Sequence, residues 1–190
     1  MLEVATAIKI DQRDLLDEFD ARLQGYVATG LVSIHADSCD YINDLATGFK
    51  IAGSGTSVDE AGLKYTMSDF DEWAVEAALQ LNEKHGGGEI TVVSLGPDSA
   101  QEIIRKALAM GADRGVQLKT DAAPFDGFAT AQALAAELKG GGYDLILFGK
   151  LAVDTSAGVT GPMVAELLGL PCVTTVAKLD IANGRGRAER

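Results

Sequence analysis

Two short stretches of the sequence carry the residue types that could do chemistry. The first is Ser94-Leu95-Gly96-Pro97-Asp98, which follows an apolar β-branched run and precedes a helical pattern. The second is residues 149–161 (GKLAVDTSAGVTG), again set between an apolar run and a helical pattern. Small residues and glycines in such loops let backbone N–H groups converge on an anion at a helix N-terminus. Thr155, Ser156 and Thr160 add hydroxyl donors, and Asp154 can accept from a ribose hydroxyl. Gly158 is where the backbone is expected to come closest to a phosphate. Asp154 and Thr155 would serve equally well as plain helix caps, and the pattern leaves both readings open.

Other chemistries find no constellation. Gly149-Lys150 is followed by Leu151, where a Walker A loop needs Ser or Thr, and Gly53-x-Gly55 lacks the third glycine of a dinucleotide fingerprint. Lys150 itself reads as a solvated lysine at a strand end. His35 and His85 offer neither a metal spacing nor a nucleophile's partner. Cys39 and Cys172 stand alone and read as buried or half-buried free thiols. Asp69, Asp71 and Glu72 sit at a helix start, where they complement the helix dipole more readily than they run acid–base catalysis. Trp73 lies at core spacing and reads as packing. The sequence therefore points to a nucleotide-sized anion site, with no metal and no catalytic residues.

Positioning these loops requires strands that end at them and helices that begin from them. Phe70, Trp73, Ala74, Ala77, Ala78 and Leu81 recur at helical spacing, and glycines 86–88 stop that helix. Residues 89–95 (EITVVSL) read as a buried strand, and Ala100, Ile103, Ile104, Ala107 and Leu108 as a second helix closed by Gly111. A short strand over 115–118, a helix over 129–138, a strand over 144–148 and a helix over 159–168 follow, with Pro171 as a stop and 172–176 as a last strand. Strands alternating with amphipathic helices imply parallel pairing through right-handed crossovers, and nearly continuous apolar strands imply a sheet covered on both faces. The expected fold is a single doubly wound α/β domain with a mostly parallel sheet, Rossmann-like in the manner of the adenine-nucleotide α-hydrolases. Residues 4–10 read as its first, central strand, 11–23 as a helix, 26–34 as a strand, and 49–58 as a hairpin turning at Gly53-Ser54-Gly55.

Composition agrees and excludes alternatives. With 47% apolar and 23% charged residues, a chain of 190 residues can bury one core. A formal charge of −12 argues against a general nucleic-acid binder, while backbone donors can still serve one small anion pocket. Apolar runs such as 145–148 are too short to insert in a membrane, and the start carries no secretory pattern. A cytoplasmic location is the expectation.

Several segments, in one order, resemble the β (small) subunit of electron transfer flavoproteins. These are Val58-Asp59-Glu60-Ala61-Gly62-Leu63-Lys64-Tyr65, Phe70-Asp71-Glu72-Trp73-Ala74-Val75-Glu76-Ala77-Ala78-Leu79 and Val92-Val93-Ser94-Leu95-Gly96-Pro97. Ile104-Arg105-Lys106-Ala107-Leu108-Ala109-Met110-Gly111-Ala112-Asp113-Arg114-Gly115 is a run the family repeats almost verbatim, and Leu147-Phe148-Gly149-Lys150, Asp154, Thr160-Gly161-Pro162-Met163 and the stretch from Ala165 to Pro171 complete the likeness. It extends over about residues 49–180, with 59–180 as the α/β core, 1–58 as first strand, unfamiliar insertion and hairpin, and 181–190 as a tail.

The resemblance implies an electron-carrier subunit, not an enzyme in its own right. It implies a heterodimer in which an α subunit holds most of an FAD, the β subunit buries a structural AMP, and flavin dehydrogenases donate the electrons. Carried over by position, the cofactor-binding residues would be Ala7, Ser68, Ser94, Leu95, Gly96, Asp154, Thr155, Gly158, Val159 and Thr160. The chain departs from the family at Ser68-Asp69, where Asn-Pro is usual, and at Leu151 and Val159, where Gln is usual. Residues 11–48 match nothing in it and are either a genuine insertion or a misread gene start. The family continues beyond 178–180 into a strand, a dehydrogenase-docking loop and an arm around the α subunit. The expectation is a shortened chain without that docking loop. Two other readings are a stand-alone adenine-nucleotide module, stress-protein-like, and a non-functional fragment. The stress-protein phosphate loop, which ends in Gly-Ser or Gly-Thr, is not supplied by Gly161-Pro162, and the Ser-Gly-Gly-x-Asp-Ser loop of the ATP-pyrophosphatases is missing too.

Overall fold

The most apolar run of the chain forms the middle of its sheet. Strand β3 (Gly88–Gly96) is buried from Ile90 to its end, and its side chains alternate between two separate apolar clusters. Ile90 and Val92 join Val75, Ala78, Leu81, Ile103 and Ala107 on one face. Val93 and Leu95 join Ala131, Leu134, Leu138 and Val164 on the other. A strand apolar on both faces needs helices on both faces.

The computed structural model describes residues 3–10, 31–35, 53–54, 67–120, 126–151, 156–182 and 185–190. Besides β3 they contain β1 (Glu3–Ile10), β2 (Leu31–His35), α1 (Asp69–Lys84), α2 (Ala100–Met110), β4 (Arg114–Lys119) and α3 (Gly127–Leu138). β5 (Leu145–Leu147), α4 (Thr160–Leu168), β6 (Lys178–Ala182) and β7 (Arg185–Glu189) complete the order. Helices α1 and α2 cover the Ile90 and Val92 face, and α3 and α4 cover the other.

The sheet runs β2-β1-β3-β4, with β5 also pairing β1. β3 and β4 are parallel from Thr91 opposite Arg114 to Gly96 opposite Lys119, as a strand–helix–strand crossover through α2 requires. β1 is antiparallel to β2, β3 and β5. Consequently β2, β3, β4 and β5 share one direction and β1 opposes them. The α/β class and the predominance of one strand direction are as the alternation predicts.

Local chemistry sets the ends. Ile90 and Asp113 exchange bonds at the start of the β3–β4 ladder: Ile90 N donates to Asp113 Oδ2 (2.8 Å) and Asp113 N to Ile90 O (2.9 Å). α4 stops at Gly169, whose φ of 68° is the left-handed conformation that glycine adopts without penalty. Gly169 N then donates to Glu166 O and Leu170 N to Ala165 O, so the last carbonyls are satisfied before Pro171.

Four expectations need correction. Residues 172–176 form no strand; they are exposed, and Thr175 at φ 58° breaks the extended conformation. Arg185 to Arg187, within the stretch read as a tail, belong to β7, which pairs antiparallel with β6. Trp73 is 67% exposed, because the buried face of α1 is Asp71, Val75, Ala78 and Leu81 and Trp73 stands about 200° from it at two residues' remove. It meets Phe70 edge-on at 5.6 Å instead. Asp71 lies in the first turn of α1, as read, and is fully buried there. Cys172 is exposed, and partial desolvation holds its thiol pKa above the usual value, the opposite of an activated nucleophile. Gly53 and Ser54 do form a turn. The helix read over 11–23, Cys39 and the flanks of the 49–58 hairpin lie outside the described residues.

Candidate functional site

Because β3, β4 and β5 share one direction, their carboxyl ends meet at one edge of the sheet. The helices leaving them, α2, α3 and α4, start at that edge. α1 starts there too: its 16 residues, about 24 Å of helix, run back along β3, which they enter through a short turn. The chain leaves β3 toward the α2 face and leaves β5 toward the α4 face. β3 and β5 both pair with β1, and loops that diverge to opposite faces at the carboxyl edge are where open α/β sheets bind ligands in a crevice.

On the α1 side the crevice is lined by two unusual serines. Ser68 caps α1 with its backbone, accepting from Asp71 N and Glu72 N at 3.0 Å each, while its side chain makes no cap. Ser68 is 1% exposed and Ser94 0% exposed, yet among the described residues neither Oγ has a hydrogen-bond partner. Ser94 shares strand parity with Val92 and so faces α1 and α2, the side on which Ser68 lies. A buried hydroxyl left unsatisfied costs about 1–3 kcal/mol, so two at one edge are groups awaiting a partner. Asp71, one turn into α1, is buried beside the helix N-terminus, where a carboxylate is electrostatically favoured.

Leu95 points the other way, into the cluster under α3 and α4, and offers the site its backbone. Gly96 is buried, and its carbonyl accepts from Thr120 N and from Gln117 Nε2, both at 3.2 Å. Gln117 Nε2 also donates to Pro97 O at 2.7 Å, and Gln101 Nε2 donates to Gln117 Oε1 at 3.2 Å. Sequence reading missed Gln117. Its role depends on a parallel register across some twenty residues, which no local pattern reveals.

On the α4 side, Gly149 is buried and Lys150 exposed. Ser156 at φ 51° and Gly158 at φ 59° turn the backbone through the left-handed region before α4. Val159, the N-cap, is 38% exposed and makes no side-chain cap; Thr160 is 3% exposed. The first bond within α4 is Met163 N to Val159 O at 3.0 Å. The N–H groups of Thr160 and Gly161 precede it, and Pro162 has none to offer. By contrast α3 is capped by Asp126, whose Oδ1 accepts from Phe128 N at 2.9 Å. α3 and α4 start side by side: a Cβ on Gly127 would lie 3.4 Å from Val159 Cγ2 and 3.8 Å from Thr160 Oγ1.

Of the residues singled out from sequence, Ser68, Ser94, Leu95 and Gly96 therefore gather on one side of this edge. Gly158, Val159 and Thr160 lie on the other. Ala7 pairs with Leu31 and Ile146, between the Ala5–Val93 and Lys9–Glu89 pairs, which places it level with the middle of β3 rather than its end. Asp154 and Thr155 lie outside the described residues. Among the described residues no group of acidic, histidine or cysteine side chains could hold a metal ion, and no helix is long and apolar enough to cross a membrane.

The family model that matches this chain is the electron transfer flavoprotein domain, over residues 55–190. The chain is 39% identical over 143 residues to the electron transfer flavoprotein subunit beta of Bacillus subtilis, covering 74% of this chain and 55% of that protein. It is 44% identical over 136 residues to the subunit beta of Syntrophomonas wolfei, covering 72% and 54%. With the Bos taurus subunit beta it is 37% identical over 150 residues, covering 77% and 59%. The chain thus spans little more than half the length of the curated relatives it matches.

Proposed function

The chain belongs to the electron transfer flavoprotein family, and from that premise we propose that it acts as a β subunit that binds AMP in the carboxyl-edge crevice and supports electron transfer without catalysing a reaction itself. The observation that carries the nucleotide reading is the pair of buried hydroxyls without a partner among the described residues, Ser68 Oγ and Ser94 Oγ. A hydroxyl both donates and accepts, so either serine can meet a ribose or an adenine edge. The start of α4, where Val159 makes no side-chain cap, supplies the Gly161 N–H and a positive dipole end for the phosphate.

Of the family departures, at Ser68-Asp69, Leu151 and Val159, the first and last leave the site its polar groups, and Leu151 withdraws one side-chain donor. Ser68 keeps a polar group where asparagine is usual, and Val159, lacking a side-chain donor, leaves its share of the contact to the backbone. Asp154 and Thr155 belong to the proposed site, on the ribose and phosphate respectively, and Ala7 to its floor. FAD, held mainly by an α subunit, would supply the redox chemistry. This chain's part is to hold the AMP, keep water from it and present a surface to that partner. Flavin dehydrogenases as donors and a cytoplasmic location belong to the same proposal.

Mixing the purified chain with a family α subunit tests the partner reading. Flavin absorbance that co-elutes with both chains, and never with this chain alone, is the expected result. Separate elution without flavin would contradict it.

A further inference from the structure

Taking the nucleotide reading above as its basis, we propose that Gln117 is a positioning residue for the site, holding the turn between β3 and α2 in its binding shape. The register sets Gln117 opposite Ser94, and from there its side chain reaches past the strand end. Both of its bonds to the turn go to consecutive carbonyls, Pro97 O at 2.7 Å and Gly96 O at 3.2 Å, while Gln101 holds its Oε1. Both carbonyls are thereby drawn toward β4.

That pull has a consequence for the opposite side of the turn. The chain contains no cis peptide among its described residues, and in a trans peptide C=O and N–H point opposite ways. Holding Pro97 O toward β4 turns Asp98 N–H away from β4, toward the side on which β1 and β5 lie. From Ala100 on the donors are spent within α2's first turn: Ala100 N on Pro97 O, Gln101 N on Asp98 O and Glu102 N on Ser99 O. Asp98 N–H and Ser99 N–H are the donors this turn has to offer, and Gln117 sets the direction of the first, beside Ser94. The Lys119–Asp98 ion pair (2.8 Å) crosses the same gap, but both side chains are more than half exposed and such pairs contribute little. Gln117 is half-buried and bonds two carbonyls of the turn, so the positioning falls to it.

Titration of AMP into the full chain by calorimetry tests this with three variants. Gln117→Met keeps the shape and removes the hydrogen bonds; it should weaken AMP binding about tenfold, the equivalent of one lost bond, with thermal stability nearly unchanged. Gln117→Glu sets an acceptor against two carbonyls and should bind more weakly still at pH 7. Relative to wild type at each pH it should recover as the carboxyl protonates, since the acid O–H can donate as the amide did. Lys119→Met should stay within about twofold. Wild-type affinity in Gln117→Met, or a Glu variant with no pH-dependent recovery, overturns the proposal. So does a large loss of stability in Gln117→Met with binding intact, which would make Gln117 merely structural. Failure of the wild-type chain to bind AMP overturns the nucleotide reading itself, and the role of Gln117 with it.

Discussion

Replacing Gly158 separates the loop's conformation from its contacts. Its φ of 59° lies in the left-handed region, which costs an ordinary L residue about 1–2 kcal/mol. A Cβ there would also come within 3.1 Å of Lys150 O and 3.6 Å of Leu151 Cβ, so the loop must give by a few tenths of an ångström. In a chain of this size about 1 kcal/mol moves Tm by roughly 2–4 °C; Gly158→Ala should therefore lose roughly 2–8 °C. Asparagine tolerates this region, so Gly158→Asn should lose less while placing its Cβ in the same spot. Gly158→Val adds a branched Cβ and should abolish AMP retention, yet remain folded against a typical stability of about 5–15 kcal/mol. Circular-dichroism melts and AMP titration read the two effects separately. An alanine variant with unchanged Tm would refute the left-handed loop, and a valine variant with full AMP retention would refute its place in the site.

The orphaned serines should show opposite signs for stability and binding. Ser94→Ala or Ser68→Ala removes a buried hydroxyl that has no partner among the described residues, so melts of the nucleotide-free protein should be unchanged or higher by up to a few degrees while AMP affinity drops; a clear loss of apo stability would mean the hydroxyls are satisfied. The β6–β7 hairpin should loosen in acid. The Lys84 hydrogen bond and charge hold the Asp180 pKa below the usual value, so its contribution is present above about pH 3.9 and is lost as pH falls through the lowered value. Amide exchange in residues 178–182, followed from neutral pH downward and at high salt, should report a small, salt-screened effect. Trp73, the one tryptophan and mostly exposed, should emit like a solvated indole, and Trp73→Phe should leave the unfolding free energy within about 0.5 kcal/mol of wild type.

The parts of the fold legible in sequence are those whose burial is periodic. Helices α1 to α4 and strands β3 to β5 repeat apolar residues at the spacing of their own geometry, and their ends carry glycines or small capping residues. β7 escaped because RGRAE has no apolar face; its five residues are exposed, and only pairing with β6 makes it a strand. The 172–176 run looked like a strand for the opposite reason, apolar and β-branched yet with nothing packed over it. Trp73 misled by weight: one large side chain at near-core spacing displaced the smaller Val75, which with Ala78 and Leu81 sets the buried face. In the site, Ser94, Gly96 and Thr160 were legible as loop residues between strand and helix. Gln117 was not, since its partners Gly96 and Pro97 become neighbours only after β3 and β4 pair.

Native purification, denaturation and identification of whatever small molecule is released test the central claim most directly. Stoichiometric AMP without flavin is the predicted result, and it would tie Ser68, Ser94 and the start of α4 to one ligand. Release of no nucleotide from the folded chain, or of flavin without AMP, would contradict the account.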